Sequence, residues 1–491
     1  MKRNLNRSER IAANSMVQVV GNFGASFISL FTFAAVTRAL GPASFGDLAA
    51  ATAYLGIPVL LGDLGLALSV LREISQRPER SERIMGASIV LRFALAVAIL
   101  VVAVAVAVAL PFSGPVKYAI AVGSIGALLN LADLSLMPIL QAQLRMQWVV
   151  GVTMLSRIFT LALVVALVAG GFGFKAIVWA YVLGNAVNFA FDLAVVRRLV
   201  GLHLVFDLGY SWRLLRGALM LGVAIALGTA YLYVDRVLLS LLGTAKDIGL
   251  YATAFKFVEI AFIAAGAIGT SIFPFVTRAM AEGETARVRH LLQRSVDIMI
   301  ALSVPAAVFA LVEASTLVRL VGGTQFTGST VALKLLSPVL VLLFVAIVFE
   351  RALIAGHGER RLLILNAGLL VANVVLSVAL IPSYGFAGVA TITSVTLGAW
   401  VVGAGWSVGR RYAFTPSFRF TGLAAVAGAA MAAILEFLPG PLVVTAPLAL
   451  VAFGLIALVP PGSGHELAGR VLANVSSPRS FSTMDSKLAG R

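Results

Sequence analysis

From Asn14 onward the chain alternates between long apolar runs and short clusters of turn residues and charges. A helix needs about 20 mainly apolar residues to cross a bilayer, and fourteen such runs can be drawn. The first seven lie at roughly 14–37, 45–70, 85–110, 117–138, 148–170, 174–196 and 214–241. The second seven lie at roughly 250–275, 296–321, 335–355, 362–382, 385–407, 420–437 and 442–459. The pattern predicts an all-α polytopic membrane protein of about fourteen transmembrane helices. Twelve is the fallback count, because the last two runs are short and interrupted by proline.

The charges between the runs are sorted by side. The two termini and every second gap hold 27 lysines and arginines, from Lys2, Arg3, Arg7 and Arg10 to Arg470, Arg479, Lys487 and Arg491. The intervening gaps hold six: Arg38, Lys117, Lys175, Lys246, Arg319 and Lys334. Basic loops are retained in the cytoplasm, so both termini are expected there and the number of spans is expected to be even. The first run is too long, and too polar at its start (Asn14, Ser15, Gln18, Asn22), for the core of a cleaved signal, and reads as a retained span. The resulting organisation is a basic N-terminus (1–13), an N-lobe of spans 1–6 (14–196), an inter-lobe linker (197–213), a C-lobe of spans 7–12 (214–407), an extra helix pair (420–459) and a flexible cytoplasmic tail (460–491).

Composition narrows the chemistry. The chain is 60% hydrophobic and 12% charged with a mean hydropathy of +1.01, far from a soluble protein. Its net charge of +16 would suggest nucleic acid on a soluble chain, but here it marks one side of a membrane, and no nucleic-acid partner is expected. Cysteine is absent and the histidines (His203, His290, His357, His465) are scattered, which excludes disulfides, a thiolate nucleophile and a His/Cys zinc site. Short loops leave no room for a soluble catalytic domain, and neither a phosphate-binding Gly-x-x-x-x-Gly-Lys-Ser/Thr loop nor a dinucleotide-binding glycine pattern occurs. The expectation is a transporter rather than an enzyme, without cofactor or resident metal, driven by a gradient or by its substrate's own downhill flow.

The two halves repeat. Ala39–Ala49 after the first span resembles Leu241–Ala252 after the seventh with one insertion, and Gly173-Phe174 before the sixth matches Gly385-Phe386 before the twelfth. With six spans per half, the halves enter from the same side and would be related by an axis along the membrane normal. The same residues carry a family resemblance. Thr37-Arg38-Ala39-Leu40-Gly41-Pro42-Ala43-Ser44-Phe45-Gly46, Gly62-Asp63-Leu64-Gly65-Leu66 leading to Arg72-Glu73, Gly249-Leu250-Tyr251-Ala252, and Ile381-Pro382-Ser383-Tyr384-Gly385-Phe386-Ala387-Gly388-Val389-Ala390 resemble bacterial polysaccharide flippases. These are the O-antigen and exopolysaccharide members of the multidrug/oligosaccharidyl-lipid/polysaccharide exporter superfamily, and the likeness runs from about residue 10 to 410.

The resemblance implies two six-helix lobes around a central cavity lined mainly by spans 1, 2, 7 and 8. It also implies export of an undecaprenyl-diphosphate-linked oligosaccharide across the bacterial inner membrane by alternating access. Membrane lipids and a polysaccharide polymerase machinery are the further partners it suggests. Many such relatives have twelve spans, whereas the lipid II flippases of the same superfamily have fourteen. Two other readings stand beside it: a cation-coupled drug antiporter using Asp235 and Glu259, and, from another class, a membrane polysaccharide polymerase or ligase. The latter usually has a long outer loop bearing Arg or His, which this chain lacks.

A wet cavity should show as polar stripes on its helices. Span 1 offers Ser15, Gln18, Asn22, Ser26 and Ser29; span 7 offers Thr229, Tyr233, Arg236 and Ser240; span 8 offers Lys256 and Glu259. A charge at the bilayer centre costs roughly 2.5–3.5 kcal/mol on insertion scales, so each needs a reason. Asp235, Arg236, Lys256 and Glu259 lie at similar distances from the turn joining spans 7 and 8 and are expected to meet. A diphosphate crossing a low-dielectric slot needs fixed cations, which makes Arg236 and Lys256 the candidate substrate contacts; the alternative is a neutral quartet that ties the two spans together. Asp235, Glu259, Asn22, Gln18 and Tyr233 complete the candidate cavity, with Asp63 and Asp133 as coupling carboxylates or caps of polar bends. Arg92 is expected to snorkel to the cytoplasmic end of span 3, and Arg157, about 14 Å into span 5, is left open. Tyr54, Tyr231 and Tyr233 are read as packing or as sugar-stacking rings.

Overall fold

A computed structural model describes residues 7–66, 69–70, 73–74, 81–142, 146–199, 208–417, 419–438 and 442–458, almost all of them helical. In order the helices are α1 (Arg7–Asp63), α2 (Ser81–Ala109), α3 (Gly114–Ala142), α4 (Met146–Ala169), α5 (Phe174–Leu199), α6 (Leu208–Leu242), α7 (Ala245–Ala281), α8 (Thr285–Val312), the short α9 (Ala314–Gly322), α10 (Ser329–Ala355), α11 (Glu359–Tyr412), α12 (Arg419–Phe437) and α13 (Leu442–Leu458).

Two of these helices are hairpins. A straight α1 of 57 residues would be about 85 Å long, nearly three times the hydrocarbon thickness. It breaks at Gly41, whose φ of 68° suits a residue without a Cβ, followed by Pro42, which has no N–H for the helix ladder. The two arms then lie side by side: the Phe33 and Phe45 rings are 5.1 Å apart, against about 18 Å along a straight helix. α11 turns back in the same way at Gly385, φ 53°, so that Trp400 Nε1 on one arm donates to Asn366 Oδ1 on the other at 2.8 Å. Among the described residues eleven helices are long and apolar enough to span, two of them are bent double, and the shorter α13 adds one more. That makes fourteen passes.

The ninth pass departs from the hydropathy reading. The apolar run at 296–321 joins two elements: α8 ends at Val312, and after Glu313 the chain forms α9 and a single 3-10 turn, Thr324–Phe326. At the head of α7, Thr244 and Asp247 form a capping box, each side chain accepting the other's backbone N–H at 3.2 Å.

The passes pack as two lobes. In the first, α1 lies against α3 and α4, and α5 against α3 and α4; in the second, α10 lies against α7, α8 and α11, and α11 against α6. The lobes meet where α1 packs on α6 and α7. Glycines set that seam. A Cβ on Gly46 would overlap the Ala245 carbonyl, one on Gly249 the Pro42 carbonyl, and one on Gly222 the Leu64 carbonyl. The first two contacts are reciprocal, each repeat's glycine seated on the other repeat's turn, as an axis between the halves requires. α12 and α13 pack on each other and on α8, outside the lobe seam.

Candidate functional site

A cavity of about 410 Å³ opens between α1, α4, α5 and α7. Ser26, Ser29, Thr32 and Phe33 line it from α1, Thr153, Arg157 and Thr160 from α4, Tyr181 from α5, and Lys256 and Glu259 from α7. Arg157 stands twelve residues before the end of α4 and Lys256 twelve residues after the cap of α7, so both sit about 18 Å from the sparsely charged end of the bundle. Arg157 is enclosed by protein, yet its side chain is accessible, because it faces the cavity.

The charges around Lys256 form a chain. Glu259 accepts from Lys256 Nζ at 3.0 Å on one oxygen and from Arg236 Nη1 at 3.0 Å on the other. The Arg236 guanidinium also lies 5.5 Å from the Tyr233 ring centroid and 5.1 Å from that of Phe255, and Lys256 Nζ lies 5.4 Å from that of Phe33. Arg157, Lys256 and Arg236 against one carboxylate leave this part of the bundle with two positive charges.

Asp235 does not join them, contrary to the expected quartet. Successive helical residues point about 100° apart, and Asp235 turns into the C-lobe, fully buried. There it accepts from Tyr251 Oη at 2.7 Å and Thr393 Oγ1 at 2.8 Å. The Asn373 amide is a further hydrogen-bonding neighbour of this carboxylate.

One end of the cavity is shut. Phe33, which lines it, stacks edge-on against Phe45, and Phe45 against Phe326 of the C-lobe with centroids 5.9 Å apart. Beside this aromatic plug Arg38 Nη2 donates to Leu320 O at 2.7 Å, and Thr37 Oγ1 lies 3.2 Å from Val321 O. A second cavity of about 280 Å³ adjoins, sharing Tyr181 and reaching Tyr233, Asn130 and Asn185 between α1, α3 and α5. Spans 1 and 8 supply most of the lining of the larger cavity, and spans 2 and 7 reach the smaller one; spans 4, 5 and 6 contribute as well, and span 5 brings Arg157. Its depth was the signal in the sequence.

The remaining candidates divide. Arg92 does not snorkel; it is 2% exposed and donates to Asp63 at 2.8 Å, with Ser135 at 3.5 Å. Asp63 is thereby tied to span 3. Asp133 is buried beside Asp192; Asn188 Nδ2 bridges them at 2.8 and 3.4 Å, and the two carboxyls are in hydrogen-bond contact with each other. Asp192 was not anticipated. Tyr54 and Tyr231 are buried and donate to the Ala103 and Thr393 carbonyls at 2.7 Å. The side chains of Gln18 and Asn22 lie outside the described residues.

Comparison with known proteins places the chain. A family model described as "Polysaccharide biosynthesis protein" matches residues 11–280, and one described as MatE matches residues 221–379. A curated relative, the probable low-salt glycan biosynthesis flippase Agl15 of Haloferax volcanii, is 23% identical over 393 residues, which is 79% of this chain and 81% of the relative. Among solved structures, the lipid II flippase MurJ in an inward closed conformation superposes with a TM-score of 0.74 at 13% identity, covering 93% of this chain and all of that one. An inward-facing multidrug resistance MATE family transporter of the MOP superfamily gives 0.66 at 15% identity, covering 81% and 98%. These structures share the fold.

Proposed function

This chain belongs to the polysaccharide biosynthesis protein family, and from that premise we propose that it is a flippase carrying an undecaprenyl-diphosphate-linked oligosaccharide across the membrane by alternating access, in the synthesis of a cell-surface polysaccharide. The observation that carries this reading is the charge of the cavity. A diphosphate diester bears two negative charges near neutral pH, and Arg157, Lys256 and Arg236 against Glu259 supply a surplus of two cations near the middle of the bilayer. Arg157 and Lys256 take the diphosphate, and Arg236 holds Glu259 so that Lys256 keeps its place. Thr153, Thr160 and Ser29 supply hydroxyls for sugar or phosphate oxygens.

The same charge disfavours a cationic drug as substrate, since a positively charged molecule would be repelled there. Coupling to an ion gradient rests on the buried carboxyl of Asp235, with Asp133 and Asp192 as the N-lobe counterpart. The basic loops and both termini face the cytoplasm of a bacterial inner membrane, as the 27 to 6 charge split supports. The closed plug at Phe33, Phe45 and Phe326 is then the external gate, and a polymerase acting on the exported unit is the partner downstream.

The test is to delete the gene and identify the lipid-linked species that accumulates. An undecaprenyl-diphosphate oligosaccharide that clears on complementation with the wild-type chain and persists with Arg157→Gln is the expected result. Accumulation of lipid II would move the assignment to a peptidoglycan precursor with the same headgroup. Unchanged lipid-linked sugars would overturn the reading.

A further inference from the structure

At the end of the bundle that carries the basic loops, the two arms of α11 frame a groove of about 700 Å³ that has no part in the central cavity. Its rim holds Arg361 from one arm and Arg410 and Arg411 from the other; Ile364, Leu365 and Gly403 form its floor. Among the described residues no carboxylate forms an ion pair with any of the three arginines. The same end shows the contrast, because Arg278 and Arg287 are matched there by Glu282 and Glu284. Arg361 donates to the Ser407 carbonyl at 3.5 Å, the Arg410 guanidinium lies over the Trp406 ring at 4.8 Å, and that of Arg411 over the Tyr412 ring at 5.7 Å, so each of the three has a neighbour that holds it.

The groove faces outward. Ile364, Val402 and Trp406 are 61%, 72% and 63% exposed, an apolar strip below the arginines with an indole at their level, which is where aromatic residues sit at a membrane interface. The extra pair α12 and α13 packs on α8 and leaves this face open to lipid. We propose that the groove binds the phosphate headgroup of an anionic phospholipid, with an acyl chain along Ile364 and Val402. Guanidinium groups pair with phosphate in a forked geometry and are weakly hydrated, and basic pockets between transmembrane helices suit anionic headgroups. The site pins the two arms of α11 at the end opposite its Gly385 turn.

The test uses the full chain purified in a neutral detergent, with thermal unfolding and native mass spectrometry read against added lipid. Cardiolipin or phosphatidylglycerol should raise the unfolding temperature and remain bound, and phosphatidylethanolamine should do neither. Binding should weaken roughly fivefold for each of Arg361→Gln, Arg410→Gln and Arg411→Gln, and be lost in the triple variant. Arg278→Gln with Arg287→Gln should leave it intact. If the triple variant unfolds on its own, the single variants carry the test. An equal shift from phosphatidylethanolamine, or unchanged cardiolipin binding in the single variants, would overturn the proposal. So would inorganic phosphate reproducing the whole effect, which would mean a free-anion site rather than a lipid site.

Discussion

Lys256 Nζ lies 3.0 Å from one carboxylate oxygen of Glu259, whose other oxygen is taken by Arg236, so one anion serves two cations and neither is fully neutralised. The arrangement lets a positive charge stay at bilayer depth with a partner and still attract a phosphate. It also makes Glu259 the structural member of the group. Glu259→Gln leaves two adjacent cations without an anion, and the membrane level of the protein should fall. Breaking a fully buried pair costs roughly 3–5 kcal/mol; with Glu259 about a third exposed, about 2 kcal/mol is expected. Lys256→Gln in the same chain should recover only part of the protein level, since Arg236 still lacks its anion, and should not restore transport, which thermal unfolding and an export assay would separate. Normal export by the double variant would remove Lys256 as a substrate contact.

Arg157 gives the cleaner test of substrate binding, because no carboxylate depends on it for charge balance among the described residues. Arg157→Gln should reach wild-type membrane levels and lose export roughly ten- to hundredfold, the range for one charge-assisted contact of about 1.5–3 kcal/mol. Arg157→Lys should recover part of it. Wild-type export by Arg157→Gln would show that the cavity's charge does not handle the substrate.

Arg92 and Asp63 should behave as a structural pair. Either Arg92→Leu or Asp63→Asn alone should lower the unfolding temperature, the latter more, because it leaves the 2% exposed Arg92 cation unpaired, whereas Arg92→Leu leaves a carboxylate that is 33% exposed. The two changes together should recover part of the loss, because removing both charges leaves no buried ion unpaired. Simple additivity of the two losses would argue that they act separately.

The chain contains no cysteine, so the aromatic plug can be locked without background. Phe45→Cys with Phe326→Cys, joined by a short bifunctional cross-linker, should trap the lobes together at this end and stop export, with recovery when the linker is cleaved. Export that continues in the cross-linked protein would mean this end does not open during transport.

Orientation is checked by reporter fusions. Those after Gly41, Gly173, Gly322 and Gly385 should report the external side, and those after Arg80, Arg198, Glu284 and Arg411 the cytoplasm. Two neighbouring sites on supposedly opposite sides giving the same answer would remove a span between them.

Run length alone set the number of passes in the sequence, because a bilayer imposes a minimum apolar length that other contacts barely alter. Gly41-Pro42 and Gly385 likewise announced the two hairpin turns, since conformational freedom and a missing N–H are properties of the residue itself. Depth was legible too: Arg157, Arg236 and Lys256 could each be placed well inside a span by counting. Direction was not. Asp235 and Arg236 are adjacent in sequence, and only helix rotation against packed neighbours sends one to Tyr251 and Thr393 and the other to Glu259. Partners distant along the chain were equally hidden, Arg92 with Asp63, Asp133 with Asp192 and Arg157 across the cavity from Lys256. In lipid every long apolar run is driven to form a helix whatever surrounds it, so the helices follow from composition. Which of their faces meet is decided by close packing at Gly46, Gly222 and Gly249 and by the pairing of buried charges, and these exist only once the lobes have come together.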